Sequence, residues 1–402
     1  MALPRKAGSK RRCFDLPGTY YIACETAFTD NEKRLASEKA RDDITRILTQ
    51  GGADITFREL NINFDTGRWM DHPALVQIGE HLRAKREWDK KTRILSRGDV
   101  LLIQFPAVNH SLFLYQVLKS LKKRGVFLIA VLHDVEAIRG SKRRNKSLKN
   151  RLRKYYEEVL CLKYFDRLIV HNDCMRKMVG KAMSIPAEKL IDLEIFDYLG
   201  GEAWTRPRDK SEGVIIAGNL TPVKAGYVYS LPGDVRWNLY GVNFAGHALP
   251  GSEAAGSRLE KGVVYYGSFP AEEIADELEG GFGLVWDGPS CESCEGVYGE
   301  YLRINNPHKT SLYLAAGIPV IIWKEAALAP FILAHECGLT VGSLSEIREA
   351  IRDMDEKTYR ALRENAQAVG RLLSAGEYTK RAVGKALADR NERGRSEDSI
   401  IS

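Results

Sequence analysis

The sequence predicts an α/β chain of two successive domains, each a parallel sheet covered by helices. Three observations lead there. Strand-sized runs of Val, Ile and Leu recur without polar alternation, as in residues 100–105, 125–132 and 318–323, which marks strands buried on both faces. Helical patterns separate those runs and end at glycines such as Gly125 and Gly317. A length of 402 residues is about two domains' worth at roughly 100–200 residues each.

The elements follow in order. Residues 20–24 read as a strand. A helix from about 31 to 50 carries Leu35, Ile44, Ile47 and Leu48 among its apolar positions and stops at Gly51-Gly52, a pair suited to a left-handed cap. Strand 100–105, helix 112–123, strand 126–133 and strand 168–171 complete the first half. The second half repeats the theme with strands 213–219, 237–242 and 263–266, then a helix at 271–279 behind Pro270. Strand 283–286, helix 307–316, strand 319–323 and helix 326–336 come next, and Ser345 is the expected N-cap of helix 346–354. Residues 199–213 are rich in Gly, Pro and charge and have little periodicity, which sets the boundary there. The expected domains are therefore 1–205 and 206–375, with a C-terminal helix and polar tail over 376–402, frayed from 389 onward. Two successive Rossmann-like halves place a ligand cleft between them, at the carboxyl ends of the strands.

Composition narrows the class. Hydrophobic residues make up 44% and charged residues 28%, as in ordinary globular proteins. No run approaches the ~18–20 apolar residues of a membrane-spanning helix. Met1–Cys13 is basic with no apolar core behind it, unlike a secretory leader, so a cytoplasmic protein is expected. The seven cysteines are odd in number and scattered, which suggests reduced thiols. Cys291 and Cys294 form one C-x-x-C with no second pair nearby to complete a zinc site, so a loop with two thiols is the expectation.

The net charge of +7 is concentrated in one place. Arg139–Lys154 holds nine Lys or Arg and no acid, leaving the rest nearly neutral. The run leads into a helical pattern of Leu148, Leu152, Tyr155, Val159 and Leu162. A solvated face, an anionic lipid surface and a nucleic acid are the three readings of such a stretch. No C2H2 spacing, aromatic RNA-binding motif or dinucleotide glycine fingerprint supports the last, and no nucleic-acid partner is expected.

Segment 296–320 is the most informative for chemistry. A polar loop runs through Asn305-Asn306-Pro307-His308-Lys309-Thr310 into an apolar helix closed by Gly317. A helix N-terminus presents unpaired N–H groups and the positive end of its dipole, which favours a phosphate. Lys309 adds charge there, and Asn305, Asn306 and Thr310 add hydrogen bonds. The plain structural alternative is that Asn306 caps the helix and Lys309 is solvated. In the first half, His133-Asp134 follows a buried strand, where a polar pair is costly unless solvated or used. Asp134 is the first candidate for a general base, with His133 as a substrate contact or the base itself and Glu136 as a further choice. The alternative for Asp134 is a helix cap. Thr26 and Phe28, after the first strand, and His110, after the 100–105 strand, are further candidates for a substrate contact, with solvated loop residues as the alternative reading.

These residues carry a resemblance. The motifs WDG (Trp286–Gly288), GxYGEYLRxNNPHKTSLYLAAGxPVIxWKEAA (Gly296–Ala327) and LHDVEAIR (Leu132–Arg139) resemble bacterial galactofuranosyltransferases. They are equally similar to the glucosyltransferases that add the second sugar to O-linked GlcNAc on serine-rich repeat adhesins. The similarity spans about residues 20–388. It implies a GT-B architecture, two Rossmann-like domains whose parallel sheets face each other across a cleft. It also implies transfer of galactofuranose or glucose from a UDP-sugar to a glycan hydroxyl in cell-surface polysaccharide or glycoprotein synthesis. By the same resemblance Asn305, Asn306, Lys309 and Thr310 lie at the diphosphate. Lys224, after the strand ending at Asn219, neutralises the leaving group; Tyr266 or Phe269 stacks on uracil unless both are core residues; Glu300 contacts sugar hydroxyls. No DxD stands between small strands, so the reaction is expected to need no metal and no cofactor beyond the UDP-sugar co-substrate. The basic run suits a lipid-linked acceptor and peripheral contact with the inner face of the plasma membrane, and a homo-oligomer is compatible with the sequence. A non-catalytic subunit that binds glycan or a partner, and a UDP-sugar epimerase, are the competing readings.

Overall fold

The computed structural model describes residues 18–26, 36–50, 55–63, 74–108, 112–134, 152–200, 206–245, 257–258 and 262–400. The first sheet has six strands: β1 (Tyr20–Thr26), β2 (Arg58–Asn63), β3 (Val100–Phe105), β4 (Phe127–Leu132), β5 (Arg167–Val170) and β6 (Leu190–Asp192). Their order is β2-β1-β3-β4-β5-β6 and every pairing is parallel. The second sheet has seven: β7 (Val214–Asn219), β8 (Trp237–Val242), β9 (Ser257–Arg258), β10 (Val263–Gly267), β11 (Phe282–Val285), β12 (Val320–Trp323) and β13 (Gly338–Val341). The order is β13-β12-β11-β7-β8-β10-β9, and the β9–β10 edge pair is antiparallel. β3 and β12 are buried along their whole length, as continuous apolar runs require.

The principal helices are α1 (Ala36–Gln50), α2 (Ala74–Lys91), α3 (Leu114–Lys123), α4 (Asp173–Met183), α5 (His308–Ala315), α6 (Glu356–Ser374) and α7 (Glu377–Ile400). Close approach at two glycines fixes the second sheet. A Cβ on Gly241 (φ +146°) would lie 1.7 Å from the Gly218 carbonyl oxygen, so only glycine lets the cleft ends of β7 and β8 meet. A Cβ on Gly283 would lie 2.2 Å from the Tyr313 ring, so α5 sits directly on β11. The Ala217 N–H donates to Tyr313 Oη at 2.8 Å, pinning α5 to β7.

Two segments join the lobes. Residues 193–200 lead out of the first sheet, and α7 returns to it. Ala382, Val383, Ala386 and Leu387 of α7 share a core with Ile22, Val100 and Ile129. Asp197 ties the crossings together, its carboxylate accepting from the N–H groups of Tyr378 (3.3 Å) and Thr379 (2.6 Å) at the start of α7. The last helix is thus part of the first lobe, and its backbone stays helical through Ile400 where the sequence suggests a frayed tail.

Other expectations shift locally. The helix expected at 271–279 contracts to Ile274–Glu277. Ser343, not Ser345, is the cap: its Oγ accepts from Ser345 N, and Glu346 reaches back to the Ser343 N–H in a capping box. Leu152 and Tyr155 are 50% and 43% exposed, whereas Leu162 is buried. The helix passes through a π stretch at Tyr155–Val159, which shifts the phase of the apolar stripe. Leu148 and residues 139–151 of the basic run lie outside the described residues. Cys291 and Cys294 are free thiols, both pushed up in pKa by burial. Among the described residues no helix is long and apolar enough to cross a membrane.

Candidate active site

A cavity of about 620 Å3 opens between the two sheets, bordered by the ends of β4, β5, β7 and β8 and by the start of α5. Carboxyl-end loops of parallel strands converge there because every βα connection leaves the sheet on the same side.

The second lobe supplies positive charge. Pro307 occupies the N-cap of α5 and offers no capping side chain, so N–H groups of the first turn are left for another acceptor. Lys309 lines the cavity, its Nζ donating to the Trp286 carbonyl (2.8 Å) and to Asp287 Oδ1 (2.9 Å). Lys224 lines it too, 6.0 Å from the Tyr298 ring centre. Asn219 shapes the loop before Lys224, its Oδ1 accepting from the Thr221 N–H at 3.1 Å. Asn305 borders the cavity with its Oδ1 buried and without a partner. Phe269 is at the wall.

Four expected contacts are not placed as expected, although Asn306 itself borders the cavity. The Asn306 side chain is engaged within the protein: Nδ2 donates to the carbonyls of His171 (2.6 Å) and Glu194 (3.0 Å), and Oδ1 accepts from Asn172 Nδ2 (2.7 Å). It clasps the lobes together and neither caps α5 nor has capacity left for a phosphate. Thr310 is fully buried in α5, away from the cavity. Tyr266 is stacked on Tyr240 (4.7 Å, 7°) and donates to Glu279 Oε2 at 3.1 Å, off the cavity wall. Glu300 lies on the short helix Gly296–Tyr301, whose Tyr298 and Tyr301 reach the cavity in its place.

The first lobe supplies mainly neutral and acidic groups, together with Lys39 of α1, which lines the cavity while its Nζ donates to Asp43 and to the Leu199 carbonyl. His133 and Asp134 follow β4 and both line the cavity. Gln104 donates through Nε2 to the Arg41 carbonyl (2.9 Å) and to Thr45 Oγ1 (3.0 Å). Its Oε1, 2.9 Å from His133 Nε2, therefore accepts, which puts the His133 proton on Nε2 and leaves Nδ1 as the lone pair. Burial, with the Arg41 guanidinium, holds the His133 pKa well below the usual imidazole range. Glu25, at the end of β1, accepts from the Val108 N–H at 2.6 Å, and burial pushes its carboxyl up to about 7. Thr26 ends β1; Phe28, His110 and Glu136 lie outside the described residues.

Comparison with known proteins completes the picture. Residues 19–194 match the family model "Glucosyltransferase 3-like, N-terminal domain" and residues 214–386 match "Glucosyltransferase 3-like, C-terminal domain". The chain belongs to the glucosyltransferase 3-like family. The beta-1,6-galactofuranosyltransferase WbbI of Escherichia coli (strain K12) is 35% identical over 302 residues, 73% of this chain and 81% of that protein. Glucosyltransferase 3 of Streptococcus gordonii is 25% identical over 355 residues, 86% and 92% of the two chains. Sucrose-phosphate synthase from Thermosynechococcus elongatus superposes with a TM-score of 0.58 at 13% identity, covering 93% of this chain and all of that one. WaaG, a glycosyltransferase involved in lipopolysaccharide biosynthesis, gives 0.53 at 12%, covering 90% and 98%. This glucosyltransferase 3-like chain is a hexosyltransferase of GT-B architecture.

The glucosyltransferase 3-like cavity also contains residues that the sequence reading passed over. His171, Phe196, Tyr198 and His308 all border it. His171 directly follows β5 just as His133 follows β4, and that shared position was the available signal. His308 stands inside the NNPHKT motif itself. Phe196 and Tyr198 belong to the crossing segment, which has no periodicity to flag them.

Proposed function

We propose that the chain transfers galactofuranose, or glucose as the competing donor sugar, from a UDP-sugar to a hydroxyl of a glycan acceptor, without a metal ion. The observation that carries this is the uncapped start of α5 beside Lys309 and Lys224 on one wall of the interlobe cavity. As the glycosidic bond breaks, negative charge builds on the β-phosphate. Two ammonium groups and a helix N-terminus stabilise it there at little cost in reorganisation. Lys309, 12% exposed, is paired with Asp287, and the arriving diphosphate competes with that carboxylate for Nζ. Across the cavity, Asp134 or the Nδ1 lone pair of His133 takes the proton of the attacking hydroxyl. Galactofuranose is placed first because the 35% identical relative is a galactofuranosyltransferase.

The acceptor side of this reading includes a lipid surface. The exposed Leu152 lies within the basic run and Tyr155 and Tyr156 directly follow it, a combination suited to an anionic membrane that presents a lipid-linked acceptor. Liposome binding then needs anionic lipid and weakens steeply with salt; equal binding to neutral vesicles removes this part.

The decisive experiment is calorimetric titration with UDP, followed by transfer assays with UDP-galactofuranose and UDP-glucose, each with and without EDTA. Binding of UDP and EDTA-insensitive transfer are expected. No UDP binding at millimolar levels, or isomerisation of the UDP-sugar without acceptor, ends the reading. Binding without transfer leaves the non-catalytic alternative.

A further inference from the structure

Two imidazoles in the cavity have no role in the scheme above. His171, 3% exposed, and His308, the first residue of α5, both face Phe196 edge-on, with ring centres 4.9 Å and 6.0 Å from it. The Nε2 atoms of both are buried with no hydrogen-bond partner. Native interiors leave few polar atoms unpaired, and two on residues that border one cavity call for a ligand.

The tautomer of His171 is fixed by geometry. The Asn306 backbone N–H donates to His171 Nδ1 at 2.9 Å, so Nδ1 is the lone pair and Nε2 carries the proton of the neutral ring. The Leu132 and His133 backbones border this ring, and the Asp197 backbone borders His308, each partly offsetting the effect of burial, but none of them meets hydrogen-bond geometry at either Nε2. Burial keeps the ring neutral down to about pH 4. A neutral N–H donor adds no charge for a phosphate but matches a hydroxyl oxygen. Its place is one hydrogen bond from the start of α5, where the hexosyl group adjoins the diphosphate in the reading above.

On that reading, we infer that His171 is a specificity-determining contact whose Nε2–H donates to a hydroxyl of the hexosyl group of the nucleotide sugar. His308 Nε2 is the neighbouring polar contact of the same group. The clasp that joins the lobes therefore also sets the proton position that reads the sugar.

The test compares UDP with UDP-sugar on His171→Leu and His171→Gln, using UDP-glucose, UDP-galactofuranose and their monodeoxy analogues. Both variants are first checked for unchanged circular dichroism and a cooperative thermal transition. Leucine is expected to weaken UDP-sugar binding about tenfold while UDP affinity stays within about twofold. Glutamine, which supplies both an acceptor for Asn306 and a donor, restores most of the loss. One monodeoxy donor binds the wild-type protein about tenfold more weakly than its parent, and the leucine variant binds it and its parent equally. Equal loss of UDP and UDP-sugar in both variants, or a deoxy penalty unchanged by the leucine substitution, overturns the assignment. Failure of wild-type protein to bind UDP instead overturns the reading on which it rests.

Discussion

The two walls of the interlobe cavity are built on opposite plans. The second-lobe wall rests on one regular helix, locked by Tyr313 and Gly283, and it presents cationic groups and free N–H donors. The first-lobe wall presents His133, Asp134 and His171 at strand ends and Lys39 from α1, with His133 held from behind by Gln104, which itself donates to the Arg41 carbonyl. Fixed charge on a rigid element suits a ligand part that is the same at every turnover, the nucleoside diphosphate. Strand-end loops suit a part that can vary without disturbing the sheet, such as an acceptor.

The largest effect expected from breaking this contrast is at Lys309. Lys309→Ala removes the cation and leaves Asp287 unpaired beside the diphosphate. We expect kcat/KM to fall by about 10^2–10^3 and adding Asp287→Asn to recover part of it, measured by steady-state release of UDP. Asp134→Asn comes next. Its kcat is expected to fall about 10^2-fold with UDP affinity unchanged; a loss of UDP binding instead would move Asp134 to the donor side. Third, Phe269→Ala weakens UDP binding about tenfold, whereas Tyr266→Phe leaves it within about twofold, because Tyr266 is stacked on Tyr240 away from the cavity.

The smallest effect is a pH dependence. The His171 pKa is lowered to about 4 in the folded chain, so below its unfolded value of about 6.5 only the unfolded state takes up the proton. Its contribution is complete above pH 6.5 and is lost as pH falls toward 4. Glu25 and Asp197, both pushed up to about 7 by burial, act in the opposite sense, while His133 and His308, both lowered by burial, act in the same sense, so the wild-type curve alone does not isolate His171. The difference from His171→Gln isolates the imidazole: the stability gap narrows by about 2 kcal/mol between pH 7 and pH 5 in urea unfolding.

The same contrast governs what could be read from sequence. β3, β8 and α5 were legible because burial on both faces and the Pro307/Gly317 punctuation act locally. Lys309, Lys224 and Phe269 reach the cavity as their motif positions imply. Asn306 was misread because its partners, His171 and Asn172, lie more than 130 residues away, and no local pattern announces them. Tyr266 failed on strand parity: in β10 it is Tyr265 that turns inward, donating to the Gly241 carbonyl at 2.8 Å, and its neighbour faces Tyr240. The phase shift at Tyr155–Val159 has no signal in hydrophobic spacing.

The return of α7 across the molecule bears on how such enzymes can be recombined. A donor half taken as everything that follows the first sheet carries with it Ala382–Leu387, an inner wall of the other half. Chimeras that exchange sugar-nucleotide halves between relatives therefore succeed when the final helix travels with the amino-terminal parent, as a split gene product in two pieces rather than one cassette.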